Sequence, residues 1–306
     1  MVLKPSEVAP LNAFVLAEVF AEAELPRGVF NLVSGVGADL GDALVIHKAL
    51  DMVSFTGSGP VGAHLGALAM GLVKRVALEL GGKSANVILP DADFERAVPA
   101  GVNSAFLNSG QTCNALTRML VPVASLDEVL DLAQAATSRL LLGDPLEEST
   151  RLGPLVSAAR RDAVRAHLEG ARRDGAKVVT GGAEAPENLE RGYFFSPTVL
   201  SEVTAGMAIA NEEVFGPVLC VMTYRDEDEA IELANSTEYG LAGAVWSADL
   251  DHATAVARRL QCGQVDVNGG RFNSLAPFGG YKRSGVGREL GWHGIEEFTE
   301  IKSIQR

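Results

Sequence analysis

Basic residues are scarce in this chain of 306 residues: 26 Lys and Arg face 39 Asp and Glu, for a formal charge of −13. Phosphate-backbone binding draws on Lys and Arg clustered on one face, so nucleic acid is not an expected partner. Long apolar runs are missing as well, with no stretch of about 18 apolar residues. The opening MVLKPSEVAPLNAF lacks the apolar core and small-residue cleavage site of a leader. The expectation is a cytoplasmic chain without membrane contact. Cysteine is rare: Cys113, Cys220 and Cys262 form no CxxC pair and no disulfide framework, which suits a reducing compartment. The histidines, His47, His64, His167, His252 and His293, have neither metal-ligand spacing nor a pattern that marks a general base, so no metal site is expected. Internal repeats and low-complexity linkers are lacking too.

What is present describes a folded α/β protein. Hydrophobic residues make up 47% of the chain and charged residues 21%, a balance that buries a core. The length exceeds one ordinary core, so two domains are expected. Strand-like runs at 2–3, 29–33, 52–55 and 75–78 alternate with helix-like segments at 5–23, 38–50 and 60–72, the signature of parallel βαβ units. Gly81-Gly82 is the best hinge candidate. Beyond it, strands at 85–89, 116–122, 218–224, 241–246 and 264–267 alternate with helices at 93–107, 126–141, 157–174, 226–234 and 249–260. That pattern reads as a second α/β domain.

The stretch FTGSGPVG at 55–62 places G-x-G-x-x-G after a strand and at the mouth of a helix, where a dinucleotide fingerprint belongs. Glycines let a backbone approach a pyrophosphate, and a helix N-terminus offers free N–H groups. A plain strand-to-helix turn is the alternative. An acid about 20 residues past such a fingerprint would hold a ribose, and Glu79 in LELGGKS stands there. Between two leucines, its carboxyl is also placed to act as a base nearer neutral pH, or to end a strand at the surface. GGKS is not the end of a phosphate loop, because the first glycine of that motif would fall on Ala77.

Cys113 lies in LNSGQTCNALTR, a polar turn between apolar segments. Buried structural cysteines sit inside apolar strands or helices, as Cys220 does in VLCVM, and Cys262 reads the same way. A thiol in an irregular loop with free backbone N–H groups is suited to attack a carbonyl. A packed thiol is the other reading.

In order along the chain, KPSE at 4–7, FTGSGPVG, LELGGKS at 78–84, GQTCNALTR at 110–118, EEVFGPV at 212–218 and PFGGYKRSGVGRE at 277–289 resemble the NAD(P)-dependent aldehyde dehydrogenase superfamily. The resemblance implies a partial Rossmann-type dinucleotide domain over 1–81, an α/β catalytic thiol domain over 82–285, and a tail over 286–306 towards an oligomerising extension. It implies that Cys113 is the nucleophile that forms a thiohemiacetal and then a thioester with an aldehyde, and that Glu79 activates the water that hydrolyses the thioester. By the same resemblance Lys4 and Glu7 contact the adenosine ribose, with the carboxylate favouring NAD over NADP. Gly57, Ser58 and Gly62 form the pyrophosphate turn, and Glu213 holds the nicotinamide ribose with Phe215 beside it. Glu79 further implies release of a carboxylate in preference to acyl transfer to coenzyme A. The C-terminal motif, Lys83 and Arg118 are expected to order loops behind the site.

The chain departs from the family in carrying only Met1, Val2 and Leu3 before KPSE. By resemblance, the preceding segment holds the rest of the dinucleotide domain, an arm through which the protein forms a homo-oligomer, and an asparagine that binds the oxyanion. Apolar surface facing that segment is expected to lie open. Oxidation of a small-molecule aldehyde is therefore expected, and the alternative is a truncated, impaired remnant or non-catalytic subunit that keeps the fold.

Overall fold

A computed structural model describes residues 1–306. Contacts divide the chain into two compact units, Met1–Ser54 with Ala63–Val76, and Phe55–Gly62 with Ala77–Arg306. The division passes through strands Met52–Thr56 and Arg75–Glu79 and through helix Gly59–Gly71. It differs from the expected boundary at Gly81-Gly82 over residues 55–62 and 77–81, which group with the thiol-bearing unit.

The first unit pairs strands Val2–Leu3 and Asn31–Leu32 in parallel, Val2 opposite Asn31, with helices Leu11–Glu22 and Gly37–Ile46. Ala13, Val45, Leu65 and Ala69 are buried in it, while Leu11, Phe14, Val15 and Val19 are exposed.

The second unit is built on a 7-stranded sheet. Its order is Gln264–Val267, Ala242–Trp246, Ala85–Ile88, Arg118–Pro122, Val218–Tyr224, Thr198–Ser201 and Lys177–Thr180. Every pairing is parallel except the last, Lys177–Thr180 against Thr198–Ser201. A parallel sheet must be covered on both faces, and the central strands are buried throughout. One face packs under helices Phe94–Phe106 and Leu126–Thr137 through Val98, Val102, Phe106 and Val129. The other packs under Ala158–Arg173, Glu227–Asn235 and Leu250–Ala257 through Val164, Leu168, Ile231 and Val256.

These helices start where the sequence supplies a cap. Asp93, Ser157, Asp226 and Asp249 each accept a hydrogen bond from a backbone N–H of the first turn, satisfying donors that a helix start leaves free. Strands Lys177–Thr180 and Thr198–Ser201 are absent from the pattern read along the sequence. Each is four residues long, too short to establish a period of its own. No helix is long and apolar enough to cross a membrane.

Candidate functional site

In the second unit, three motif segments lead into adjacent parallel strands. Gly81-Gly82-Lys83 enters Ala85–Ile88, the thiol loop enters Arg118–Pro122, and 212–217 enters Val218–Tyr224. Ala85, Arg118 and Cys220 lie in one cross-strand row. Neighbouring parallel strands point the same way, so the segments that enter them gather at the amino-terminal end of the sheet. The C-terminal motif joins from another direction: Gly285 and Val286 pair antiparallel with Glu79 and Leu78.

The thiol loop follows helix Phe94–Phe106 through a left-handed turn, with φ of 51° at Asn108, 57° at Ser109 and 72° at Gly110. Non-glycine residues adopt this conformation only where surroundings hold them. Here Ser109 Oγ donates to the Gly153 carbonyl at 2.8 Å, and Gln111 Oε1 accepts from the Val156 N–H at 2.9 Å. Gly110 lies flat on another backbone: a Cβ there would stand 2.2 Å from the Gly216 carbonyl carbon. The thiol loop and the segment bearing Glu213 therefore pack glycine on glycine.

Cys113 is half-buried at the end of this turn. Burial pushes its thiol above the ordinary range, and the carboxylates of Glu213 and Glu79 push it further. The N–H groups of Asn114 and of Cys113 itself act in the opposite sense, as donors facing the sulfur do.

Glu79 is only 6% exposed. Burial raises its carboxyl pKa to about 7, the charge of Glu289 adds to the shift, and Arg288 opposes it. Its Oε2 has no hydrogen-bond partner, and its Oε1 is packed over Gly279, where a Cβ would come within 2.7 Å. A buried acid with one unpartnered oxygen and a pKa near neutrality is equipped to exchange a proton at physiological pH.

The Glu213 carboxylate accepts from the Gly82 N–H at 3.3 Å, and burial raises its pKa. Phe215 has a left-handed backbone, φ 50°, and the Arg160 guanidinium lies 5.5 Å from its ring centroid. Cys113, Glu79 and Glu213 thus share one electrostatic neighbourhood.

Gly57 and Ser58 are exposed at the start of helix Gly59–Gly71. Gly59 faces open space, and a Cβ on Gly62 would run into Leu80 at 2.4 Å, so Gly62 serves close packing of the helix start. In the first unit, Lys4 Nζ is held by the carbonyls of Pro5 and Gly35 and lies 3.5 Å from Glu7 Oε2. N–H groups of Glu7 and Gly37 hold the Glu7 carboxyl below its usual range.

Behind the site, Arg118 is buried and donates to the carbonyls of Lys83, Leu233 and Ala234. Lys282 donates to those of Asn235 and Thr237. The two cations cap the C-terminus of helix Glu227–Asn235, where carbonyls lack helical partners. Lys83 is buried with its Nζ unpartnered, and burial lowers its pKa. Cys220 is fully buried, and burial pushes the Cys262 thiol up to about 11.

Sequence reading assigned no individual role to Arg160, Arg288, Glu289 or Ser284. Ser284 is fully buried and donates to the Gly81 carbonyl at 2.7 Å. Its only advance signal was its place in the C-terminal motif, read as ordering loops.

Residues 1–304 match the model of the aldehyde dehydrogenase family. The chain is 51% identical over 304 residues to a 3-succinoylsemialdehyde-pyridine dehydrogenase of a Pseudomonas species, covering 99% of this chain and 64% of that relative. Among solved structures it is similar to aldehyde dehydrogenase C of Pseudomonas syringae in complex with NAD+ and octanal. That match has 49% identity and a TM-score of 0.96, and covers 98% of this chain and 62% of the other. It is also similar to betaine aldehyde dehydrogenase of Staphylococcus aureus in complex with NAD+, at 41% identity and a TM-score of 0.94, covering 97% and 59%. The chain thus spans a little under two thirds of the length of these relatives. With a family model matched over residues 1–304 and relatives of this identity, the chain belongs to the aldehyde dehydrogenase family.

Proposed function

We propose that this chain carries the chemistry of aldehyde oxidation to a carboxylate, with Cys113 as nucleophile and Glu79 as the base of the hydrolytic step. The observation that carries the reading is the Glu79 carboxyl, held at a pKa of about 7 in the same electrostatic neighbourhood as the Cys113 thiol.

The residues fit a nicotinamide dinucleotide. The helix start at Gly59 has open space where a side chain would stand, and Glu213 offers a half-buried acceptor suited to ribose hydroxyls. Gly57 and Ser58 would present N–H groups to the pyrophosphate, with Gly62 allowing the helix start to pack closely. Glu213 would hold the nicotinamide ribose, with Phe215 alongside. Lys4 and Glu7 would contact the adenosine ribose, and a carboxylate there repels a 2′-phosphate, which favours NAD over NADP. Bound NAD would supply the hydride acceptor.

Once its proton has passed to solvent, the Cys113 sulfur adds to the aldehyde carbonyl: a carbon–sulfur bond forms, and the carbonyl electron pair moves onto oxygen. The Cys113 backbone N–H meets that oxyanion. Loss of hydride from the same carbon leaves a thioester on Cys113. Glu79 then takes a proton from water as the water oxygen attacks. The carbon–sulfur bond breaks, the sulfur regains its electron pair, and the carboxylic acid leaves.

NADH absorbance with a panel of aldehydes tests this. Cys113→Ala is expected to lower turnover by on the order of 10⁴-fold or more, and equal rates for both proteins would sink the assigned nucleophile. Glu79→Gln is expected to keep a first burst of NADH stoichiometric with Cys113 and to lose steady-state turnover. NAD binding by the unaltered chain without aldehyde oxidation would favour the alternative of a non-catalytic subunit.

A further inference from the structure

Two adjacent glycines at the site do not need glycine's conformational freedom. Gly81 and Gly82 are both buried, and neither has a left-handed backbone. What excludes a side chain at each position is space, and the space is occupied by functional groups. A Cβ on Gly81 would stand 2.0 Å from Glu213 Oε2, 2.6 Å from its Cδ and 2.9 Å from its Oε1. A Cβ on Gly82 would stand 2.8 Å from the Cys113 carbonyl oxygen and 3.1 Å from Leu241 Cβ. The Gly82 N–H also donates to Glu213 Oε1.

This dipeptide is itself fixed from beneath. The Gly81 carbonyl accepts from Ser284 Oγ at 2.7 Å, Ser284 Oγ accepts from the Gly240 N–H at 2.9 Å, and the Leu80 N–H donates to the Ser284 carbonyl at 2.9 Å. Ser284 has no exposed surface. One anchored peptide therefore bears the Glu213 carboxylate on its first α-carbon and the Cys113 backbone against its second.

We propose that Gly81 and Gly82 are positioning residues that set the Glu213 carboxylate and the Cys113 loop from a single rigid step, Gly81 acting on cofactor affinity and Gly82 on the thiol. The proposal rests on the reading of Glu213 as a ribose anchor and Cys113 as the nucleophile. Its chemistry is steric: the bare α-carbon of Gly81 lets the carboxylate lie down on the backbone, and any side chain there lifts it away from its N–H donor. The three atoms nearest the new Cβ belong to the far end of a flexible side chain, so the carboxylate can give way in Gly81→Ala.

The test measures NAD affinity by calorimetry, and the rate at which iodoacetamide alkylates Cys113 without NAD, on the full 306-residue chain. Gly81→Ala is expected to weaken NAD binding by about tenfold, the effect of misplacing one charged hydrogen-bonding group. Gly82→Ala is expected to change the alkylation rate. In a Glu213→Asp background, where the acid is one methylene shorter, Gly81→Ala should cost much less affinity than in the parent. An equal loss in both backgrounds overturns the proposal. Should Gly81→Ala alone fail to fold, folding is expected to return with Glu213→Asp, because the three nearest atoms to the new Cβ all belong to Glu213; failure of the double variant to fold overturns the steric assignment. Glu213→Gln separates the two levels. If it leaves NAD affinity unchanged, the ribose-anchor reading falls and takes the proposal with it. If it weakens binding and Gly81→Ala does not, the positioning role alone is overturned.

Discussion

Glu79 gives this protein a titration near neutral pH. Its folded pKa of about 7 lies above the ordinary carboxyl value of 4.5, chiefly through burial. Between those two values the folded chain keeps a proton that the unfolded chain has released. Stability therefore falls as pH rises through that window, and the penalty is complete above about 7. Glu79→Gln is expected to raise the melting temperature more at pH 8 than at pH 4, below both values, where the acid is mostly protonated in both states. Thermal scans at the two pH values check this, and an equal gain at both would show that Glu79 is not buried as a raised acid. If Glu79 is the base for water, steady-state turnover should rise with pH through about 7, as the carboxylate becomes able to accept a proton. The Cys113 thiol is shifted in the opposite sense to an activated cysteine, upward, by burial and by two carboxylates.

Among the structural elements, the decisive feature is that three neighbouring strands run parallel and are entered from the same end. A helix, a left-handed turn and a short loop thereby deliver residues near 80, 113 and 213 to one place. Glycine marks the contacts that this convergence crowds. Gly110→Ala would drive a Cβ to 2.2 Å from Gly216 and hold a side chain at φ 72°, whereas Gly59→Ala would meet nothing within 4 Å. Gly110→Ala is expected to destabilise by about 1–3 kcal/mol from overpacking alone, with left-handed strain added, and Gly59→Ala to be nearly neutral. Urea unfolding of the two variants checks the contrast, and similar midpoints would contradict the glycine-on-glycine packing.

Most long elements were legible because their signals are local. Helix caps at Asp93, Ser157, Asp226 and Asp249 precede amphipathic runs, and the central strands are apolar and bounded by turns. Cys113 stood out because its flanks are polar, and Glu79 because its neighbours are leucines. Ser284 and Arg160 carried no comparable signal. The relation of Ser284 to Gly81 spans 203 positions, and that of Arg160 to Phe215 crosses from one helix to another segment's left-handed residue. Neither distance has a period that a sequence displays.

Across the whole molecule, the two units differ in how much apolar surface they hide. The larger has a core on each face of its sheet. The smaller leaves Leu11, Phe14, Val15 and Val19 exposed, and their spacing puts them on one stripe of helix Leu11–Glu22. A contiguous apolar stripe of this kind binds hydrophobic probes. The 306-residue chain is expected to enhance anilinonaphthalene sulfonate fluorescence, and Phe14→Ser with Val15→Ser to reduce that signal without lowering the melting temperature. Unchanged dye binding would mean that the stripe is covered in solution.

The sequence by itself determined the α/β class, the family, and the segments proposed to carry the chemistry, because alternation of apolar runs and motifs are properties of neighbouring residues. Only the tertiary structure decided that Glu79 is an acid poised near neutrality, that Gly81 and Gly82 hold Glu213 and Cys113 from one anchored step, and that Ser284 fixes that step. Those properties come from burial and steric exclusion between segments far apart in the chain, and such segments meet only when parallel strands align their entering ends.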